Sequence, residues 1–147
     1  MTECRNTRDR LWPIQRLLRG LLDDADCILS EEFGDDRDHR LAAIVERILS
    51  NLGEQFRIEE EGEYLAHVLE NYPQWHPQVE HLQQEHRLLE EQLQDISVRI
   101  KRQIDSGGVN TECRRQLSDW IAWYRQHQHR ERALVQEAFL LEVGQGE

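Results

Sequence analysis

Glycine and proline are scarce in this chain, eight and three among 147 residues, so few points interrupt it and the segments between them are long. No apolar run approaches the roughly 20 residues of a membrane-spanning helix. The opening from Met1 to Arg10 is polar with no apolar stretch after it, which argues against a secretory signal. Cysteine is limited to Cys4, Cys27 and Cys113, an odd number without a CxxC pair. A disulfide framework is therefore not expected, and a reducing cytoplasm is. Basic residues are outnumbered 18 to 29, for a formal net charge of -11. Nucleic acid and anionic membrane surfaces would repel such a chain, so neither is an expected partner. The sequence also lacks β alternation, internal repeats, a glycine-rich phosphate loop and a nucleophile elbow. Enzymatic activity is not expected.

What remains is helical periodicity, in a length that suits a single domain over residues 1–147. The spacing predicts four helices, over about 10–29, 36–70, 77–104 and 110–141. Pro13 falls in the opening turn of the first and Pro77 at the start of the third. Leu11, Leu18, Leu22 and Leu29 line one stripe of the first helix. Leu41, Ile44, Ile48, Leu52 and Ala66 line the second, and Val79, Leu82, Leu89, Leu93, Ile100 and Ile104 the third. Gly34 is the expected stop before the second helix, 71–77 forms a turn with two prolines, and 105–109 is the clearest break. Four amphipathic helices on short connections make an all-α, antiparallel, up-down-up-down four-helix bundle.

Each apolar stripe is interrupted by polar residues. At about 100° per residue, Trp120, Tyr124, His127, Glu131, Leu134 and Ala138 share one direction on the last helix, so His127 and Glu131 point into the core. Gln15 lies in the first stripe, Gln55 and Glu59 in the second, and His86 in the third, whereas Glu60 and Glu61 turn outward. Counting along the chain from the turns sets their heights. His86 lies 22 residues before Gly108 and His127 lies 19 after it. Glu59 lies 15 before Gln74 and His86 lies 12 after it, while Gln15 and Gln55 lie 18 before and 22 after Phe33. At 1.5 Å per residue, antiparallel neighbours bring all of these to one layer.

Two physical accounts fit that layer. Two imidazoles and two carboxylates suit iron, zinc or manganese, and the carboxylates balance a divalent charge. Alternatively, the carboxylates accept from histidine and glutamine in a metal-free layer. The Glu-x-x-His signature of di-iron carboxylate bundles is absent, since no histidine has glutamate three residues before it. His39, His67, His76, His81 and His129 fall off the layer. Cys27 and Cys113 read as ordinary helix-face residues, and Trp12, Trp75, Trp120 and Trp123 as packing residues.

The stretches 55–60 (QFRIEE), 72–79 (YPQWHPQV), 85–89 (EHRLL) and 127–131 (HQHRE) resemble those of a hemerythrin-like, HHE cation-binding domain, a likeness that extends over essentially the whole chain. The family places histidine on the first helix, His-x-x-x-Glu on the second, histidine on the third and a related pair on the last. The resemblance implies that Glu59 and Glu131 match bridging carboxylates and that His86 and His127 match terminal histidines. Gln15 and Gln55 stand where the first- and second-helix histidines are expected. Both changes fall on the same side of a two-iron centre, leaving ligands for one metal or for a degenerate site, with one iron or none expected rather than two. Family resemblance implies dioxygen or nitric oxide sensing, or iron handling, with a small diatomic ligand. The alternative is a metal-free interaction or regulatory module with a protein partner.

Overall fold

The computed structural model describes residues 2–32, 36–61 and 70–145, with side chains described over 10–32, 36–60 and 70–137. Helices α1 (Thr2–Ser30), α2 (Arg37–Glu61), α3 (His76–Asp105) and α4 (Thr111–Gln145) form a four-helix bundle. Sequential helices pack on one another and α4 returns to α1, which closes the ring; the α1–α4 seam has the sparsest packing of the four. Among the described residues no helix is long and apolar enough to cross a membrane.

Helix α1 begins at Thr2, eight residues before the expected start, so Pro13 lies inside it and not in its first turn. An interior proline removes its own N–H bond and crowds the carbonyl four residues before it, yet the helix continues through Pro13. The second helix is described to Glu61; Gly34, Gly62, Ala66 and His67 lie outside the described residues, and Glu70 is again helical. A single turn of 3₁₀ helix, Pro73–Trp75, leads into α3, with Tyr72 buried beside Trp75 at a ring separation of 5.1 Å.

The connection between α3 and α4 shows why it carries two glycines. Gly107 and Gly108 both have positive φ, 124° and 147°, in the region that disfavours residues with a Cβ. Gly108 N–H caps the Gln103 carbonyl at 2.8 Å, and Asn110 Oδ1 caps α4 by accepting from Cys113 N–H at 2.8 Å. Asp38 Oδ2 accepts from Val109 N–H at 3.0 Å and so ties this turn to the first turn of α2.

The predicted stripes are the buried faces. Leu11, Leu18, Leu22, Leu41, Ile44, Ile48, Leu52, Val79, Leu82, Leu89, Leu93, Ile100, Trp120, Tyr124 and Leu134 all fall inside, while Leu29 and Ile104 are half-buried. Trp12 departs from expectation: 62 % exposed, it lies on the outer face of α1 under the Arg16 guanidinium. Its neighbour Leu11 occupies the inward direction, and a residue about 100° further round cannot.

The core falls into two apolar bodies. A large one reaches from Leu41 and Ile100 up to Phe56, Leu89 and Tyr124. A small one holds Tyr72, Val79, Leu82 and Leu134. Between them on α2, α3 and α4 lie Glu59, Glu85, His86, His127 and Glu131, all buried.

Candidate metal centre

Helical spacing builds the layer. Gln55 and Glu59 are one turn apart on α2, as are His127 and Glu131 on α4, so each helix presents two polar groups on its inner face. Helix α3 contributes His86, whose ring stacks on Phe56 with centroids 3.9 Å apart and planes 9° apart. The two imidazoles meet edge to face at 4.8 Å, as counting from the turn implies. His86, His127 and Glu131 each offer a ligand atom, all within 4.8 Å of one another. Glu59 stands at the edge of this group, with Oε2 3.4 Å from His86 Nε2.

Hydrogen bonding around the layer fixes which atoms face inward. His127 Nδ1 lies 3.2 Å from Glu85 Oε1. Glu85 is itself held by Trp123 Nε1–H at 3.0 Å and Arg130 at 2.7 Å. Burial works to raise the Glu85 carboxyl, but the bonds from His127, Trp123 and Arg130 outweigh it and hold the group below the ordinary carboxylate range. An ionised acceptor at Nδ1 places the neutral ring's hydrogen there and leaves the Nε2 lone pair facing the layer. Glu60 Oε1 stands 3.5 Å from His86 Nδ1, which has no hydrogen-bond partner. Periodicity gives Glu85 no role and turns Glu60 outward. The Glu60 side chain is exposed, as expected, and neither contact has a helical signature.

Inside this shell the polar atoms do not satisfy one another. Glu59 Oε2, His86 Nε2, His127 Nε2 and both oxygens of Glu131 are buried without a hydrogen-bond partner. Glu131 Oε2 lies 3.4 Å from His127 Nε2 and 3.7 Å from His86 Nε2. These separations are too long for good hydrogen bonds, whose usual range ends near 3.2 Å. They do suit donor atoms arranged around a common ion: ligands about 2.1 Å from a tetrahedral centre are roughly 3.4 Å apart. A native core rarely leaves several polar atoms unpaired at one place, and imidazole nitrogen with carboxylate oxygen is a donor set for iron, zinc or manganese.

The two carboxylates are electrostatically split. Burial, reinforced by the neighbouring Glu131, pushes the Glu59 carboxyl well above its ordinary range, against the pull of Gln55 and Gln15. Burial also acts to raise Glu131, but the nearby His127 and His86 rings prevail and hold it below the ordinary carboxylate range. A divalent cation would favour the charged form of both.

Gln15 and Gln55 act on Glu59. Gln55 Nε2 donates to Glu59 Oε1 at 3.0 Å, and its own Oε1 accepts from Tyr124 O–H at 2.9 Å. Gln128 Nε2 in turn donates to the Tyr124 oxygen at 3.0 Å. Gln15, half-buried on α1, acts on the Glu59 carboxyl in the same direction as Gln55. Among the histidines expected off the layer, His39, His76, His81 and His129 are exposed. Cys27 is exposed and Cys113 buried.

A layer of inward His and Glu on a closed ring of four helices is the arrangement against which family membership can be judged. The hemerythrin HHE cation-binding domain matches residues 8–139, most of the chain. The chain belongs to that family. No curated protein and no solved structure matches it. Hemerythrin-type architecture thus accounts for the bundle; the family is a cation-binding one, and His86, His127 and Glu131 form a cluster able to hold a metal ion here.

Proposed function

We propose that this hemerythrin-like chain binds a single metal ion, with iron the natural occupant, and serves in dioxygen or nitric oxide sensing or in iron handling. His86 and His127 would hold the ion through Nε2, and Glu131 and Glu59 through carboxylate oxygens. The supporting observation is the convergence of unpartnered buried donors from three helices on one point. Bound iron supplies one-electron redox chemistry and affinity for a small diatomic ligand. The chain's own residues do the rest. Glu85 orients His127, Phe56 holds the plane of His86, and the apolar bodies above and below limit access of bulk water. Gln55 has both ends of its amide bonded within the protein. Its oxygen is thus already engaged by Tyr124, which supports one metal over two.

The same glutamine supports a second reading, a metal-free bundle acting as an interaction or regulatory module, because the Gln128–Tyr124–Gln55–Glu59 chain satisfies part of the layer unaided. Metal analysis of protein from iron-supplemented medium, with its visible spectrum, separates the two. Retention of iron that is lost in both His86→Ala and His127→Ala is the expected outcome. Colourless, metal-free wild-type protein, or variants that keep their iron, would contradict the metal reading.

A further inference from the structure

The α1–α4 seam opens into a cavity of about 450 Å³ beside the layer. Its wall carries Arg19 from α1 and Arg125 and Arg132 from α4, against Asp23 as the one acidic residue. Three arginines at one opening are unexpected on a chain with a net charge of -11. Like charges brought together without a counter-charge repel, and the arrangement is favourable when an anion sits among them. Arg125 is already paired, to Asp23 at 3.0 Å and Asp26 at 2.7 Å. Arg19 and Arg132 have no ion-pair partner among the described residues, and both are exposed enough to reach a solute.

Spacing accounts for the placement. Arg125, Gln128 and Arg132 recur at three and four residues along one face of α4, and Gln15, Arg19 and Asp23 at four along the facing stripe of α1. The half-buried amides of Gln15 and Gln128 line the same cavity, Gln128 with one N–H already given to Tyr124 and the other left for a ligand. Guanidinium forks above amide donors are a site for a small oxyanion, since planar N–H pairs match carboxylate and phosphate oxygens.

We infer that the α1–α4 cavity binds a small oxyanion, a carboxylate or a phosphate, through Arg19 and Arg132, at a site separate from the metal ligands. The inference does not rest on metal binding and is tested without metal. Calorimetric titration of chelator-treated protein, at ionic strength held constant with sodium chloride, uses inorganic phosphate in one arm and succinate in the other. Saturable one-to-one binding with Kd near or below about 1 mM is expected in at least one arm, and the tighter arm identifies the oxyanion. The double variant Arg19→Gln/Arg132→Gln should weaken it at least tenfold, with an unchanged helical circular-dichroism spectrum. The control Arg57→Gln/Arg87→Gln removes the same charge from exposed positions elsewhere and should leave Kd within twofold. Unsaturable heats in both arms, or equal weakening in the two variants, would overturn the inference.

Discussion

Gln55 and Glu85 show how much depends on single atoms in this layer. At Gln55, an imidazole would present a lone pair, whereas the amide here donates to Glu59 and accepts from Tyr124. On the proposed reading, a hydrogen-bond bridge stands where the family resemblance expects a ligand. Restoring Gln15→His and Gln55→His together should raise iron stoichiometry from one toward two, measured by metal analysis after anaerobic loading; an unchanged count would show that the α1–α2 side of the layer is not a converted iron site. Glu85 makes the complementary case, because it reaches the layer only through His127. Glu85→Gln keeps the shape and loses the charge, so metal affinity should fall by about 10- to 100-fold in a chelator competition while one ion still binds. Affinity equal to the wild type would remove Glu85 from the account. Periodicity marked Gln55 as inward, but the direction of its hydrogen bonds depends on Tyr124, 69 residues away. Glu85 carries no helical signal at all, since its partners Trp123 and Arg130 belong to another helix.

At the scale of elements, the four stripes and the break at 105–109 were legible because leucine and isoleucine spacing and paired glycines are local signals. The levels of His86 and His127 followed from counting residues to a short turn. Two features were less legible. Helix α1 begins eight residues before its expected start, because polar residues can continue a helix without an apolar stripe to announce it. Trp12 faces outward because Leu11 already fills the inward direction. The cap of α4 gives a direct test: Asn110→Ala removes the acceptor for Cys113 N–H and should cost about 1 kcal/mol in denaturant unfolding. No measurable loss would mean that water caps the helix equally well. The cysteines report on the same packing. Burial pushes the Cys113 thiol upward, while Cys27 is exposed. Iodoacetamide at pH 8 should label Cys27 quickly and Cys113 only when the bundle opens; equal rates would contradict the packing of α4.

For the whole molecule, the polar layer divides one bundle core into a large and a small apolar body, and it gathers carboxylates that repel each other when ionised. Such a layer costs stability unless a cation or a complete hydrogen-bond network offsets it. Metal binding should accordingly raise the melting temperature, by an amount equivalent to about 2.7 kcal/mol when free metal is 100 times Kd, and a chelator should reverse the gain. The measurement that bears most directly on the single-ion centre is an anaerobic ferrous iron titration of metal-free protein with the bound metal counted. One tightly bound iron per chain is the predicted result. Two would show that Gln15 and Gln55 leave a second site intact, and none would show that the layer holds itself together without metal; either would contradict the account.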